Sequence, residues 1–188
     1  MRNRWENTMS LDPVQLLFEK DAIQNLKYEY FRRLDSKQFD DLIKLFTEDA
    51  TTAYDNGRYS CHGREGIFNF LDESMSTHQC LSQHQAHHPE ITFIDDTHAT
   101  GMWHFEDTVY RLDDKVKITG AGIYWDEYVK TVQGWLISHT GYERLWVCTE
   151  KLNLDNYLEI RSFWDAKELE RSNQRNKTEG ELQLYPQR

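Results

Sequence analysis

Hydrophobic positions along the chain recur first at helical spacing and then, past residue 78, at alternate residues. Ile23, Leu26, Tyr30 and Leu34 form one stripe, the pattern of an amphipathic helix. Asp12 is placed to cap its start, and Pro13 suits the first helical turn. Tyr30 lies on that stripe and so faces a core or a pocket, and Asp35 follows directly where the stripe ends. Phe39, Leu42, Ile43 and Phe46 predict a short second helix over roughly 37–46. Ile67, Phe68, Leu71 and Met75 predict a third over about 64–76. Between these two, Asp55-Asn56-Gly57 reads as a turn joining extended pieces.

The second half is rich in Val, Ile, Thr and aromatic residues punctuated by short polar turns, Asp95-Asp96, Asp113-Asp114 and Gln133-Gly134. Strands are expected at roughly 80–94, 98–112, 115–130 and 135–149. Turns this short join antiparallel neighbours, and strands this long must twist and curl. Gly101, Gly120, Gly122 and Gly141 fall inside them, where glycine marks bulges or bends. Helices followed by a curled meander make an α+β layout. The expected fold is a cone-shaped, strongly curved antiparallel sheet packed against three or four N-terminal helices around one cavity. Residues 1–10 are expected to be a flexible leader and 11–150 the domain. Residues 151–188 are expected to be a C-terminal docking segment and mobile tail, with one more helix or docking stretch over 150–164 ending in Phe163 and Trp164.

Composition narrows the function classes. A chain of 188 residues buries a core without disulfide or metal staples. Its 32 acidic against 22 basic residues give a net charge of −10, a field that repels nucleic acid and anionic lipid. Neither is expected as a partner. The three cysteines, Cys61, Cys80 and Cys148, form no CxxC pair, and the odd count points to a reducing compartment. The first ten residues are polar, unlike a secretory signal, and no run reaches transmembrane length. The expected location is the cytoplasm. Six Trp, ten Tyr and nine Phe are enough to line an apolar pocket as well as fill a core.

Chemistry is sought where an ionisable group falls among apolar ones. On the strand 98–112, Asp107 shares a face with Trp103, Phe105 and Val109. Such a carboxylate is either paired with an arginine or lines a polar cavity. On the strand 135–149, Arg144 is expected in register with Leu136, Tyr142 and Trp146, where it can bind an anion or stack on the rings. His139 is expected on the opposite face with Trp135 and Ile137, as a core histidine. The segment from Ser82 to Ile91 holds His84, His87 and His88. Histidine is the usual general acid or base near neutral pH. Alternation places His84 and His88 on one face and His87 on the other. No HExxH motif or cysteine-rich partner accompanies them, so no metal is expected. Nucleophile elbows, P-loops and GxGxxG are absent.

The segments Tyr28-Glu29-Tyr30, Asp35-Ser36-Lys37-Gln38-Phe39 and Leu45-Phe46-Thr47-Glu48-Asp49-Ala50 resemble the opening of SnoaL-like proteins of the nuclear transport factor 2-like superfamily. Gly63-Arg64-Glu65-Gly66-Ile67, the histidine-bearing stretch from Gln83, Gly120 to Tyr128, and Trp135 to Leu145 are similar to later parts of that pattern. The likeness covers roughly residues 12–148. In site pattern it is similar to the scytalone dehydratase and bile acid 7α-dehydratase group. That resemblance implies a catalytic set of Tyr30, Asp35 and His84, and it is what singles His84 out from its neighbours. Asp107 and Arg144 match further residues of the bile acid enzyme. Substrate contacts are expected from Asp107, Arg144, Tyr124, Trp103 and Phe105. One departure is Ile123, which precedes Tyr124 where many relatives carry a histidine; the bile-acid-like set is intact.

The resemblance implies a cofactor-independent acid–base enzyme, a dehydratase-like lyase or isomerase. The expected substrate is small, hydrophobic and carbonyl-containing, polycyclic or aromatic. Two alternatives stand beside it: a non-catalytic ligand-binding or assembly domain, and a polyketide cyclase. The apolar outer face of an open sheet further implies a homo-oligomer, a trimer or a dimer.

Overall fold

A computed structural model describes residues 11–153 and 159–165. The chain divides into two compact units, Met1–Leu152 and Asn153–Arg188. The expected leader over 1–10 lies outside the described residues, as does most of the expected tail. In the second unit the described residues 163–165 are helical, and the Phe163 and Trp164 rings meet edge to face at 5.1 Å.

The first unit opens with α1, Pro13–Asp35. Asp12 caps it: its Oδ1 accepts hydrogen bonds from the amides of Val14 (2.8 Å) and Gln15 (2.9 Å), and the Gln15 side chain accepts from the Asp12 amide in return. This reciprocal arrangement satisfies donors that a helix start otherwise leaves unpaired. The buried stripe contains Ile23, Leu26, Tyr30 and Leu34 as the periodicity predicts. It also contains Lys27 and Phe31. The second helix is shorter than expected. α2, Phe39–Leu42, is followed by a 3-10 turn, Ile43–Leu45, and Phe46 already starts β1, Phe46–Tyr54. The turn at Asp55-Asn56-Gly57, where all three residues have positive φ, leads to β2, Tyr59–His62, and α3, Gly63–Met75.

The four long strands fall where the alternation placed them: β3, Cys80–Phe93; β4, His98–Arg111; β5, Val116–Thr131; β6, Gly134–Lys151. The last continues past the expected end, so the helix or docking stretch expected from residue 150 does not begin there. The strands form one curved, unclosed sheet in the order β2-β1-β6-β5-β4-β3. Consecutive long strands pair antiparallel. The pair β1–β6 is parallel, so the sheet is mixed rather than wholly antiparallel. A helix and four strands separate β1 from β6 in sequence, and a crossover of that length permits the parallel approach.

Bulges interrupt the ladders between His87 and Glu90, between Ala121 and Gly122, and between Glu127 and Tyr128. Each adds a residue to one strand, bending it and reversing which side chains face inward. On β6, Tyr128 pairs with Ile137 but Glu127 with His139, leaving Ser138 as the extra residue; Leu145 is extra in the same way. Trp135 and Ile137 are therefore buried on the core side, and Tyr142 and Arg144 also face inward. Trp146 is half exposed. The single alternation expected over 135–149 does not hold. Leu136 and Trp146 do not share the face of Arg144, and Trp135 and Ile137 do not oppose it. His139 is only partly buried, with its Nδ1 2.7 Å from Thr51 Oγ1.

Candidate active site

α1 ends with a carboxylate, an electrostatically costly choice because a helix C-terminus already carries partial negative charge. Asp35 is compensated by the neighbouring strand. Its Oδ2 accepts from the His84 amide at 2.8 Å, and its Oδ1 accepts from Ser82 Oγ at 2.9 Å and lies 2.7 Å from His84 Nδ1. A carboxylate offers no proton, so the ring proton of His84 sits on Nδ1. Nε2 is left as the free nitrogen, 4.0 Å from Asp107 Oδ2. The imidazole is held flat against Phe31, with the rings 5.8 Å apart and parallel to within 1°.

Asp107 is buried on β4 and is gripped by Arg144. The guanidinium donates to both carboxylate oxygens, Nη1 to Oδ1 at 2.7 Å and Nη2 to Oδ2 at 2.6 Å. Such fork-to-fork pairing is the strong form of a charged hydrogen bond. Three features place Arg144 there. The bulge at Ser138 shifts the alternation of β6 so that Tyr142 and Arg144 face inward. Asn56 in the β1–β2 turn accepts from the Arg144 amide at 3.0 Å, while its own amide donates to the Tyr142 carbonyl at 2.9 Å. Gly120, opposite Asp107 on β5, leaves room for the guanidinium: a Cβ there would lie 2.6 Å from Nη1 and 2.9 Å from the Trp146 carbonyl oxygen.

His84, Asp107 and Arg144 open on a cavity of about 310 Å³ that is also lined by Tyr30, Tyr54, Tyr124 and Tyr142, with Phe70, Leu71 and Met75 among its apolar walls. The hydroxyls of Tyr30 and Tyr54 are 2.9 Å apart. Burial pushes the phenols of Tyr30, Tyr54 and Tyr124 well above the ordinary tyrosine value. It raises Tyr142 as well, against the lowering influence of Arg144. All four therefore remain neutral hydroxyls able to donate hydrogen bonds.

Of the residues expected at a site, the structure brings Tyr30, His84, Asp107, Tyr124 and Arg144 to one cavity, with Asp35 behind His84. Trp103 and Phe105 are not among the lining residues. Trp103 is fully buried and donates from Nε1 to Tyr128 Oη at 3.0 Å. Phe105 packs beneath the rings of Tyr124 and Tyr142, at 4.7 and 5.1 Å. Both were expected to touch substrate because they alternate with Asp107, but the sheet buries that part of the face under side chains. Beside the bulge His87 is half-buried and His88 exposed, their rings 6.0 Å apart. Among the described residues, no group of three or more His, Cys, Asp or Glu side chains could hold a metal ion.

A second charge pair escaped the sequence reading. Lys27 Nζ lies 2.8 Å from Asp126 Oδ2, and both side chains are wholly buried. Its ammonium sits 3.8 Å from the centre of the Tyr124 ring and 4.9 Å from that of Tyr30. Asp126 also accepts from Thr140 at 2.6 Å and Tyr128 at 2.7 Å. Burial lowers the Lys27 ammonium from its ordinary value, and Asp126 opposes that shift. The signal was available: Lys27 is an ionisable residue on the same apolar stripe as Ile23 and Tyr30, and Asp126 alternates with Tyr124 and Tyr128.

Over residues 15–141 the chain matches the family of SnoaL-like domains. Among solved structures it is similar to a candidate scytalone dehydratase from Novosphingobium aromaticivorans, at 19% identity and a TM-score of 0.65, over 77% of this chain and 97% of that one. It is similar to the LinA-type3 hexachlorocyclohexane dehydrochlorinase of Novosphingobium barchaimii at 16% identity and a TM-score of 0.67, covering 80% and 99%. An NTF2-like protein with a cystatin-like fold from Novosphingobium aromaticivorans aligns at 20% identity and a TM-score of 0.59, over 70% and 85%. At these identities the likeness establishes the fold.

Proposed function

The chain belongs to the SnoaL-like domain family, and from that premise we propose that it is a cofactor-independent acid–base enzyme, a lyase of the dehydratase type or an isomerase. Its substrate is a small hydrophobic molecule carrying a carbonyl, polycyclic or aromatic in skeleton. The observation that carries this reading is the placement of His84. One ring nitrogen is spent on Asp35 at 2.7 Å, and the other faces a cavity with Asp107 4.0 Å away. An imidazole so held is oriented as a base, and the imidazolium formed when it takes a proton lies between two carboxylates.

In this reading His84 Nε2 removes a proton from a carbon next to the substrate carbonyl. Asp35 holds the imidazole tautomer and stabilises the resulting charge. Tyr30 and Tyr124 donate hydrogen bonds to the developing enolate oxygen or to the departing group, supported by a largely apolar wall that keeps water away. Departure of a β-substituent completes an elimination; return of the proton elsewhere completes an isomerisation. Support comes from two of the similar structures, a candidate scytalone dehydratase and a dehydrochlorinase, whose names both denote eliminations.

The first step is open to test without the natural substrate. β-Tetralone, a fused-ring ketone with acidic protons, exchanges them in deuterated water, and proton NMR follows the loss. The protein is expected to speed that exchange, and His84→Ala to reduce the protein-dependent rate by about 10²–10⁴-fold, the usual worth of a general base. A folded His84→Ala variant that exchanges as fast as the parent would remove His84 from the mechanism.

Two further features belong to the same proposal. The chain assembles as a homo-oligomer, supported by the half-exposed Trp125, Leu145, Trp146 and Val147 on β5 and β6. It works in the cytoplasm, supported by three free cysteines. No helix among the described residues is long and apolar enough to cross a membrane.

A further inference from the structure

An arginine in an aromatic cavity usually suggests a bound anion, but here the basic groups around the cavity are already engaged. Arg144 gives both terminal nitrogens to Asp107. Arg111, at the exposed edge of the cavity, donates from Nε to Asp114 at 2.7 Å. Lys27, behind the tyrosines, is paired with Asp126, and the Lys37 ammonium donates to the Met75 carbonyl. Asp35 and Asp107 both lie against His84, and the Arg144 guanidinium is taken up by Asp107. The neutral phenols of Tyr30, Tyr54, Tyr124 and Tyr142 are among the polar groups that remain.

We propose that Asp107 is an anion filter: by occupying the Arg144 guanidinium it withdraws the cation a carboxylate would need, so the site admits uncharged substrates and rejects anionic ones. The inference rests on the cavity being the substrate site, and it adds the charge class of the substrate and a specificity role for Asp107. An entering carboxylate must either leave water with no counter-charge waiting, which is strongly unfavourable, or break a bidentate pair whose Asp107 side chain is 2% exposed. It also meets Asp35 and Asp107 as like charges. The net charge of −10 on the whole chain acts in the same direction at longer range. A neutral carbonyl, phenol or amide needs only the hydroxyl donors that the tyrosines provide.

The test uses two probes of one shape and different charge, β-naphthamide and β-naphthoate, titrated into the full chain by calorimetry at neutral pH and low salt. The amide is expected to bind at least about tenfold more tightly, a difference of about 1.4 kcal/mol. Asp107→Asn releases Arg144 and is expected to raise naphthoate affinity by about tenfold or more, a gain that disappears in the Asp107→Asn/Arg144→Met double variant. If the Asp107 variants do not fold, the parent and Arg144→Met decide the matter: removing an arginine that is not available to ligand leaves naphthoate binding no weaker. A parent that binds naphthoate as tightly as the amide, or an Arg144→Met variant that loses naphthoate binding, overturns the filter while leaving the base chemistry of His84 standing. If neither probe binds, the filter falls, and the β-tetralone exchange decides separately whether the base chemistry of His84 stands.

Discussion

At the scale of single residues, the site depends on ionisable groups placed where apolar ones are expected, and on one absent side chain. Asp107 and Arg144 meet above Gly120, where a methyl group would fall 2.6 Å from the guanidinium and 2.9 Å from a backbone carbonyl. Gly120→Ala is expected to displace Arg144 and to destabilise the fold by about 1–3 kcal/mol, the range for overpacking. Urea denaturation reads the stability, and NMR of the guanidinium nitrogens reads the loss of the pair; unchanged values in both would show that the sheet absorbs the methyl group. The same logic explains what could be read from sequence. Asp107 and Arg144 stand out among aromatic neighbours, and Tyr30 lies on a helical stripe. His84 needed more, since three histidines lie within five residues and only the resemblance separated them. Lys27 and Asp126 met the same criterion as Asp107 and were missed; a lysine near a helix surface is ordinarily solvated, and nothing local tells that its carboxylate partner arrives from β5.

At the scale of elements, the local signals were strong. The Asp12 cap, the Pro13 start, the third helix and the four long strands all lie within a few residues of their expected bounds. The polar turns were legible for the same reason: their side chains satisfy their own backbone. In the β3–β4 turn, Asp95 accepts from the amides of Thr97 at 2.7 Å and His98 at 2.8 Å. The Thr97 amide, then the His98 ring and the Thr97 hydroxyl, hold its carboxyl down at about 2, from an ordinary 3.8. A depressed carboxyl stabilises the fold above its ordinary value and loses that contribution as pH falls through the lowered one. Amide exchange at Thr97 and His98 is thus expected to accelerate, beyond its intrinsic pH dependence, between pH 3.8 and about 2. Asp95→Asn should lack that pH-dependent step, and retention of it in the variant would assign it elsewhere. The bulges at Ser138 and Leu145 were not legible. A bulge is settled by the partner strand and by what must face the core, and neither is written in the alternation of one strand.

At the scale of the whole molecule, the α+β class followed from the order of helices and strands, but the parallel joint between β1 and β6 did not. That pair forms across most of the domain, and local pattern carries no information about it. The joint matters to function, because it brings Tyr54 of β1 beside Tyr142 of β6, with their rings 5.7 Å apart. Both lie on the cavity wall. The proposed assembly also belongs to this scale. Light scattering at micromolar concentration is expected to give a multiple of the 22.5 kDa chain mass, and Trp146→Glu to shift it toward the single chain; a monomeric parent would contradict the proposal.

The proposed base chemistry depends on which nitrogen of His84 holds the proton at rest. Nitrogen-15 NMR of histidine-labelled protein distinguishes the two neutral tautomers directly. The predicted result is a ring protonated at Nδ1, with a bare Nε2 and a shift in that balance when Asp35 is changed to Asn. A neutral His84 protonated at Nε2, or a ring indifferent to Asp35→Asn, would mean that the nitrogen facing the cavity is not held as a base.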